Sequence, residues 1–257
     1  MTEAVSSTAV AQRRIGGVLH LEITAPRTRN ALSRPLLAAL GAAVDELDET
    51  VTGIVISGSG GTFSAGADFG ELSGTAADVG FDETVAAVTT AIRSSPRIVV
   101  AAIEGPCIGA AADIALACDL RVGGEGCYLQ IPAVRLGLLY NPDALDRMRR
   151  TYPGHALRRL LLLGERVSAR EALVAGLVSV VVPRGDAVDR AITMLSEIRP
   201  EHLPALAATK KFLADPDPDP ARWQQRRREL LDSPARRAAV EKARCRHTLE
   251  RPGGGAP

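Results

Sequence analysis

Aromatic residues are scarce: one Trp, three Tyr and four Phe make up 3% of the chain. A platform for stacked nucleic-acid bases needs several such rings, so that mode of binding is excluded. Surplus charge is missing as well. Thirty-one Lys and Arg face thirty Asp and Glu, a formal net charge of +1, which leaves no basic excess to neutralise phosphates. No nucleic-acid partner is expected. Long apolar runs are absent too, and no helix of about 18 apolar residues, hence no membrane partner, is expected. Met1 to Arg14 lacks a basic segment followed by an apolar one, so no secretory signal is read there. Cys107, Cys118, Cys127 and Cys245 have no C-x-x-C spacing, and His20, His155, His202 and His247 are scattered. Neither a disulfide framework nor a metal site is expected, and reduced thiols point to the cytoplasm.

Familiar catalytic signatures are also wanting. There is no G-x-S-x-G elbow, no Walker A loop and no H-E-x-x-H. Gly58-Ser59-Gly60-Gly61 follows a strand, but the third glycine of a dinucleotide-binding turn falls at Phe63. What remains is a globular composition, 46% hydrophobic and 24% charged over 257 residues. A chain of that size removes about three quarters of its surface from water on folding.

Periodicity organises the chain into an α/β pattern. Val18 to Ile23 alternates as a strand. Ser33 caps a helix with Pro35 in its first turn and Leu36, Leu37, Leu40, Val44 and Leu47 on its apolar stripe. Gly53 to Ser57, Ile98 to Ile103, Leu120 to Val122 and Val178 to Val182 read as further strands, and Glu83 to Ser94 and Gly109 to Ala117 as helices. Strands alternating with helices predict largely parallel pairing. Beyond Val188 the pattern is helical and basic. Asp215 to Pro220 (DPDPDP) predicts a stiff acidic spacer, and Arg226, Arg227 and Arg228 a solvated helix face. The expected organisation is a disordered N-terminus over 1–14, a core over 15–195, a helical region over 196–250 and a disordered tail over 251–257.

Two small-residue segments offer chemistry. Thr62 to Asp68 (TFSAGAD) lets a ligand approach the main chain closely. Glu104 to Asp113 (EGPCIGAAAD) is a loop entering a helix whose first N–H groups lack internal partners. Together they suggest two backbone donors converging on one developing oxyanion; singly, each reads as a tight turn or a close-packing device.

These segments, with Arg29 to Ser33 (RNALS), Ala102 to Asp119, Pro132, Leu136-Gly137 and Ala169 to Val182, resemble the enoyl-CoA hydratase/isomerase (crotonase) superfamily over about residues 15 to 215. The resemblance implies a ClpP-like spiral of ββα units with a C-terminal helical oligomerisation region, assembled as a homotrimer or a dimer of trimers. It implies an acyl-CoA thioester, or its acyl-carrier-protein counterpart, whose carbonyl becomes an enolate; CoA is then part of the substrate and no further cofactor is needed. By position, the oxyanion donors would be the N–H groups of Ala67 and Ala110. Arg27, Lys210 and Lys211 would meet the CoA phosphates, and Ala65 would line the pantetheine path.

The acid/base positions depart from the family pattern. Hydratases of this family shuttle protons between two glutamates; here the first position is Asp113 and the second is Ala133. General acid–base help is worth roughly 10²- to 10⁴-fold, so water addition is expected to be impaired. Locally, Leu136 to Asn141 (LGLLYN) and the short loop within Val18 to Leu32 resemble methylmalonyl-CoA decarboxylases, which carry Tyr-Asn there, although their usual His is replaced by Ala67. The resemblance therefore leaves three outcomes: hydratase- or isomerase-type lyase chemistry with Asp113 handling a proton, decarboxylation using Tyr140, or a silent acyl-CoA-binding subunit. Asp143, beside Pro142, reads as an N-terminal helix charge. The terminal EKARCR of 241–246 lacks the Phe that many members place on a neighbour's adenine.

Overall fold

The computed structural model describes residues 9–249, with side chains from 10 to 245. The chain divides into two compact units, one up to Ile198 and one from Arg199 onward. The first unit opens on a hairpin: β1 (Ala9–Ile15) runs antiparallel to β2 (Val18–Thr24). This corrects the expectation of disorder through residue 14. β1 is an edge strand whose Ala11, Gln12, Arg13 and Arg14 are exposed, so it carries no apolar alternation to read. Residues 1–8, and the tail expected to be disordered over 251–257, lie outside the described residues.

α1 (Arg34–Asp45) forms as expected, with Ser33 Oγ accepting the Leu36 N–H and Leu36, Leu37, Leu40 and Val44 buried. β3 (Gly53–Gly58), α2 (Val79–Ser94) and β4 (Ile98–Ile103) follow. The chain then enters β5 (Pro106–Ile108), α3 (Ala110–Ala117), β6 (Leu120–Gly124), β7 (Tyr128–Gln130), α4 (Pro142–Thr151) and α5 (Gly154–Leu162). β8 (Val167–Ser168), α6 (Ala169–Val174), β9 (Val180–Val182) and α7 (Ala187–Leu195) complete the unit.

Six strands form one sheet in the order β1-β2-β3-β4-β6-β9, parallel from β2 onward, and β5-β7-β8 form a second. Successive passes therefore lay one strand in the large sheet and a short one in the small sheet before a helix, β4-β5-α3 and then β6-β7-α4. That is the ββα spiral. Gly105-Pro106 does more than break β4: Gly105, at φ +57, turns the chain out of one sheet into the other. β strands of two or three residues give no measurable period, which is why the second sheet escapes a sequence reading.

The large sheet is buried on both faces, as parallel sheets are. On one face Leu21, Ile23, Ile54, Ile56 and Ile103 pack with Leu36, Leu40, Val88, Ile92 and Ile114. On the other, Val55, Val100, Ala102 and Val122 meet Ala187, Ala191 and Leu195 of α7. The second face also holds a buried polar pair, His20 Nε2 to Ser57 Oγ at 2.7 Å, and burial lowers the His20 pKa.

The second unit is helical: α8 (Leu203–Ala214), α9 (Pro220–Leu231) and α10 (Pro234–Leu249). The acidic proline segment separates α8 from α9. Asp219 caps α9 by accepting the Ala221 N–H, and Asp215 accepts the Trp223 indole N–H at 3.3 Å. Phe212 and Trp223 meet edge to face at 5.2 Å and border an apolar groove of about 860 Å³ with Leu230 and Leu231. Arg226, Arg227 and Arg228 are exposed, and Arg226 pairs with Glu229 at 2.9 Å. No described helix is long and apolar enough to cross a membrane.

Candidate active site

The two small-residue segments lie side by side. Ser64 and Cys107 form a parallel bridge, with Ser64 N donating to Pro106 O and Ile108 N donating to Ser64 O, both at 3.1 Å. Three residues beyond each member of that bridge stand Ala67 and Ala110, both half-buried against the core. On its other side Ala67 is bracketed by Leu32, which donates to Gly66 O at 2.7 Å and accepts from Asp68 N at 3.0 Å. Ala67 thus presents its own N–H away from Leu32, and no described carbonyl accepts it. Ala110 is the first residue of α3, where an N–H has no helical acceptor. Gly109, just before it, is anchored by donating to Gln130 O at 2.8 Å.

Asn30 frames this arrangement from below. Fully buried and at φ 58, it accepts the Ala25 N–H at 2.9 Å and donates to Ser59 O at 2.9 Å and Thr62 O at 2.7 Å. A short amide side chain tolerates the left-handed backbone and locks the loop leading into Thr62 to Asp68. Within RNALS it is thus the residue that holds the two loops together.

Asp113 sits one turn into α3, about 5 Å along the helix from Ala110. Its carboxylate is buried and paired with the Arg147 guanidinium of α4, Nη2 to Oδ1. Burial pushes the Asp113 pKa up, opposed by the Arg147 charge and by hydrogen bonds from Arg147 and Tyr140. The Tyr140 hydroxyl lies 3.4 Å from Gly109 O and also reaches Asp113. Burial, then the Asp113 charge, pushes the Tyr140 pKa well up. Asp82, in the first turn of α2, acts electrostatically on both groups; its own pKa is raised by burial and by Asp78.

Arg147 is the residue the sequence reading missed. Its signal is visible in hindsight: Ala144, Arg147 and Met148 are the buried stripe of an otherwise charged helix, so a cation stands where an apolar side chain belongs. Asp113 is consequently not a free carboxylate. Ala133, where the family's second glutamate was expected, is a buried methyl at the start of a 3-10 turn over Ala133–Leu136. Asn141 caps α4 by accepting the Asp143 and Ala144 N–H groups, and Asp143 occupies the first turn of that helix, as read.

The remaining candidates are placed as follows. Ala65 lies in the same segment as Ala67, half-buried, with its N–H donated to Arg29 O at 2.9 Å. Arg27 is exposed on a 3-10 turn over Pro26–Thr28. Lys210 and Lys211 lie on α8 in the second unit.

The profile of the enoyl-CoA hydratase/isomerase family matches residues 13–250. The chain is 30% identical over 201 residues to a 2,3-dehydroadipyl-CoA hydratase of Escherichia coli K12, covering 76% of this chain and 78% of that one. Among solved structures it resembles an enoyl-CoA hydratase from Polaromonas sp. JS666, with a TM-score of 0.76, 28% identity and coverage of 87% and 90%. It also resembles an enoyl-CoA hydratase from Mycobacterium smegmatis, with a TM-score of 0.79, 27% identity and coverage of 90% and 94%.

Proposed function

The chain belongs to the enoyl-CoA hydratase/isomerase family of enzymes, with the crotonase fold, and we propose that it acts on an acyl-CoA, or acyl-carrier-protein, thioester through an enolate held by the N–H groups of Ala67 and Ala110. The observation that carries this reading is the side-by-side bridging of Ser64 with Cys107, which leaves those two N–H groups without described acceptors on adjacent backbones. As the thioester enolises, charge collects on one oxygen. Two fixed donors stabilise it without reorganising, and losing one such donor typically costs about 3–4 kcal/mol of transition-state stabilisation. Asp113, pushed up by burial, is the group that takes or returns a proton, and Tyr140 steadies it. CoA enters as part of the substrate, with Arg27 meeting its phosphates and Ala65 lining its pantetheine arm; Lys210 and Lys211, on the second unit, are separate candidates for phosphate contact. A cytoplasmic homotrimer or dimer of trimers is the assembly that the family resemblance implies for it.

With Ala133 supplying no second carboxylate, hydratase- or isomerase-type turnover is expected to be slow. Ala133 and Tyr140 favour a second reading, decarboxylation of a malonyl- or methylmalonyl-type thioester, in which the C–C bond pair flows into the enolate and no general base is needed. A silent acyl-CoA-binding subunit is the third outcome. The test is incubation with crotonyl-CoA, methylmalonyl-CoA and malonyl-CoA, each followed by mass. Brisk hydration of crotonyl-CoA would overturn the claim that Ala133 disables the site. Loss of CO₂ that vanishes in Tyr140→Phe would establish the decarboxylase, and tight binding without turnover the silent subunit. No affinity for any of the esters would sink all three.

A further inference from the structure

The Arg147 guanidinium is unevenly used. Nη2 holds Asp113, whereas Nη1 is buried with no hydrogen-bond partner among the described residues, in a side chain only 8% exposed. A buried guanidinium offers five N–H donors on a rigid planar fork, and leaving one edge unmatched away from water is costly. Its one ionic partner compensates it incompletely, because burial favours the uncharged form of Asp113. The other charges near it come from α2 and α4. Arg93, on α2, feels the charges of Arg147 and Arg150, Arg150 is tied to Asp146, and the Asp82 charge acts on Asp113.

This fork stands close to the proposed reaction centre. Arg147 touches Asp113, Tyr140 reaches both Asp113 and Gly109, and Gly109 precedes the Ala110 N–H. We propose that Arg147 Nη1 receives a carboxylate at the far end of the acyl group, so that the site selects the CoA mono-thioester of a dicarboxylic acid over a plain acyl-CoA. The inference rests on the thioester reading above and names the acyl class it takes. The CoA phosphates do not fit the role, since they lie a whole pantetheine arm from the thioester carbonyl. A planar carboxylate matches the fork, and one that survives the reaction matches a residue that holds rather than transforms it.

The test compares affinities of saturated esters, which offer no double bond to hydrate, by calorimetry on freshly prepared samples: succinyl-CoA against butyryl-CoA, and glutaryl-CoA against pentanoyl-CoA. The protein is expected to bind each carboxylate-tipped ester about tenfold or more tightly than its plain partner. Arg147→Gln should bring both ratios to one or below, and Arg147→Lys should restore part of the preference. Because Arg147→Gln strands the Asp113 carboxylate, the ratios are also measured in Arg147→Gln/Asp113→Asn; a purely structural role for Arg147 would lower all affinities together and leave the ratios alone. Equal affinities in the unaltered protein, or ratios indifferent to Arg147, overturn the inference while butyryl-CoA binding still upholds the thioester reading. Failure of every ester to bind overturns that reading, and the inference with it.

Discussion

Gly66 and Ile108 stand so close that a Cβ on Gly66 would lie 2.6 Å from the Ile108 carbonyl oxygen, and Gly66 itself sits at φ +94. Both facts demand glycine, the first by contact and the second by backbone conformation. The pair sets the distance between the segment carrying Ala67 and the segment carrying Ala110. Gly66→Ala must therefore push the two apart. Displacing one of two oxyanion donors typically lowers kcat by about 10²- to 10³-fold. Steady-state kinetics on whichever ester is turned over, alongside circular dichroism to check the fold, gives the answer. Full activity in Gly66→Ala would mean that the two segments do not act together.

Asn30→Ala removes four hydrogen bonds, one of them a long contact from Ser59 Oγ, and leaves the buried Ala25 N, Ser59 O and Thr62 O unpaired. At about 1 kcal/mol or more for each, the variant should lose roughly 3 kcal/mol of stability. Asn30→Asp should do no better, because a carboxylate cannot donate and would face two carbonyl oxygens. Urea denaturation midpoints measure both. A midpoint unchanged in Asn30→Ala would show that the loop does not depend on this side chain.

Tyr140→Phe bears on the proton inventory. The Tyr140 hydrogen bond is one of the influences that lower the Asp113 pKa, against the larger upward push of burial. Taking it away should move Asp113 further up, so the limb of a pH–rate profile that reports Asp113 should shift to higher pH. A limb that did not move would mean that the hydroxyl serves Gly109 alone.

Glu171 predicts an acid response at the surface of the first unit. It closes a capping box with Ser168 on α6 and pairs with Arg159 at 2.9 Å, and the Ser168 bonds, followed by Arg159, bring its pKa down to about 2 from 4.5. A depressed carboxylate stabilises the fold fully above its unfolded pKa and loses that contribution as pH falls through its folded one. The melting temperature should therefore drop between about pH 4.5 and 2, and Glu171→Gln should flatten part of that drop. The side chain is 45% exposed, so solvent screening keeps the effect small.

Much of the fold is legible from periodicity, and the reasons for the misses are physical. β2, α1, β4 and α3 announce themselves through alternation, a Ser33 cap or a continuous apolar run. β1 does not, because an exposed edge strand made of Gln12, Arg13 and Arg14 has no buried face to mark. The candidate site divides in the same way. Asp113 and Tyr140 carry recognisable chemistry, but Ala67 and Ala110 contribute only main-chain groups, and alanine side chains say nothing about them. Only resemblance to a family could single those two out. Arg147 was hidden for a different reason: its partner lies 34 residues away on another helix, so no local spacing links them.

The bridge between Ser64 and Cys107 has one more implication. It aligns peptide amides, and an amide neither gains nor loses a proton under any condition in which the chain stays folded. In the proposed enolate reading, the hold on the charged oxygen is thus blind to acidity, unlike sites that use imidazole or lysine for the purpose. Every inflection in the activity of this protein against pH would then belong to a side chain, and the short roster of Asp113, Tyr140 and Asp82 is where each should be sought.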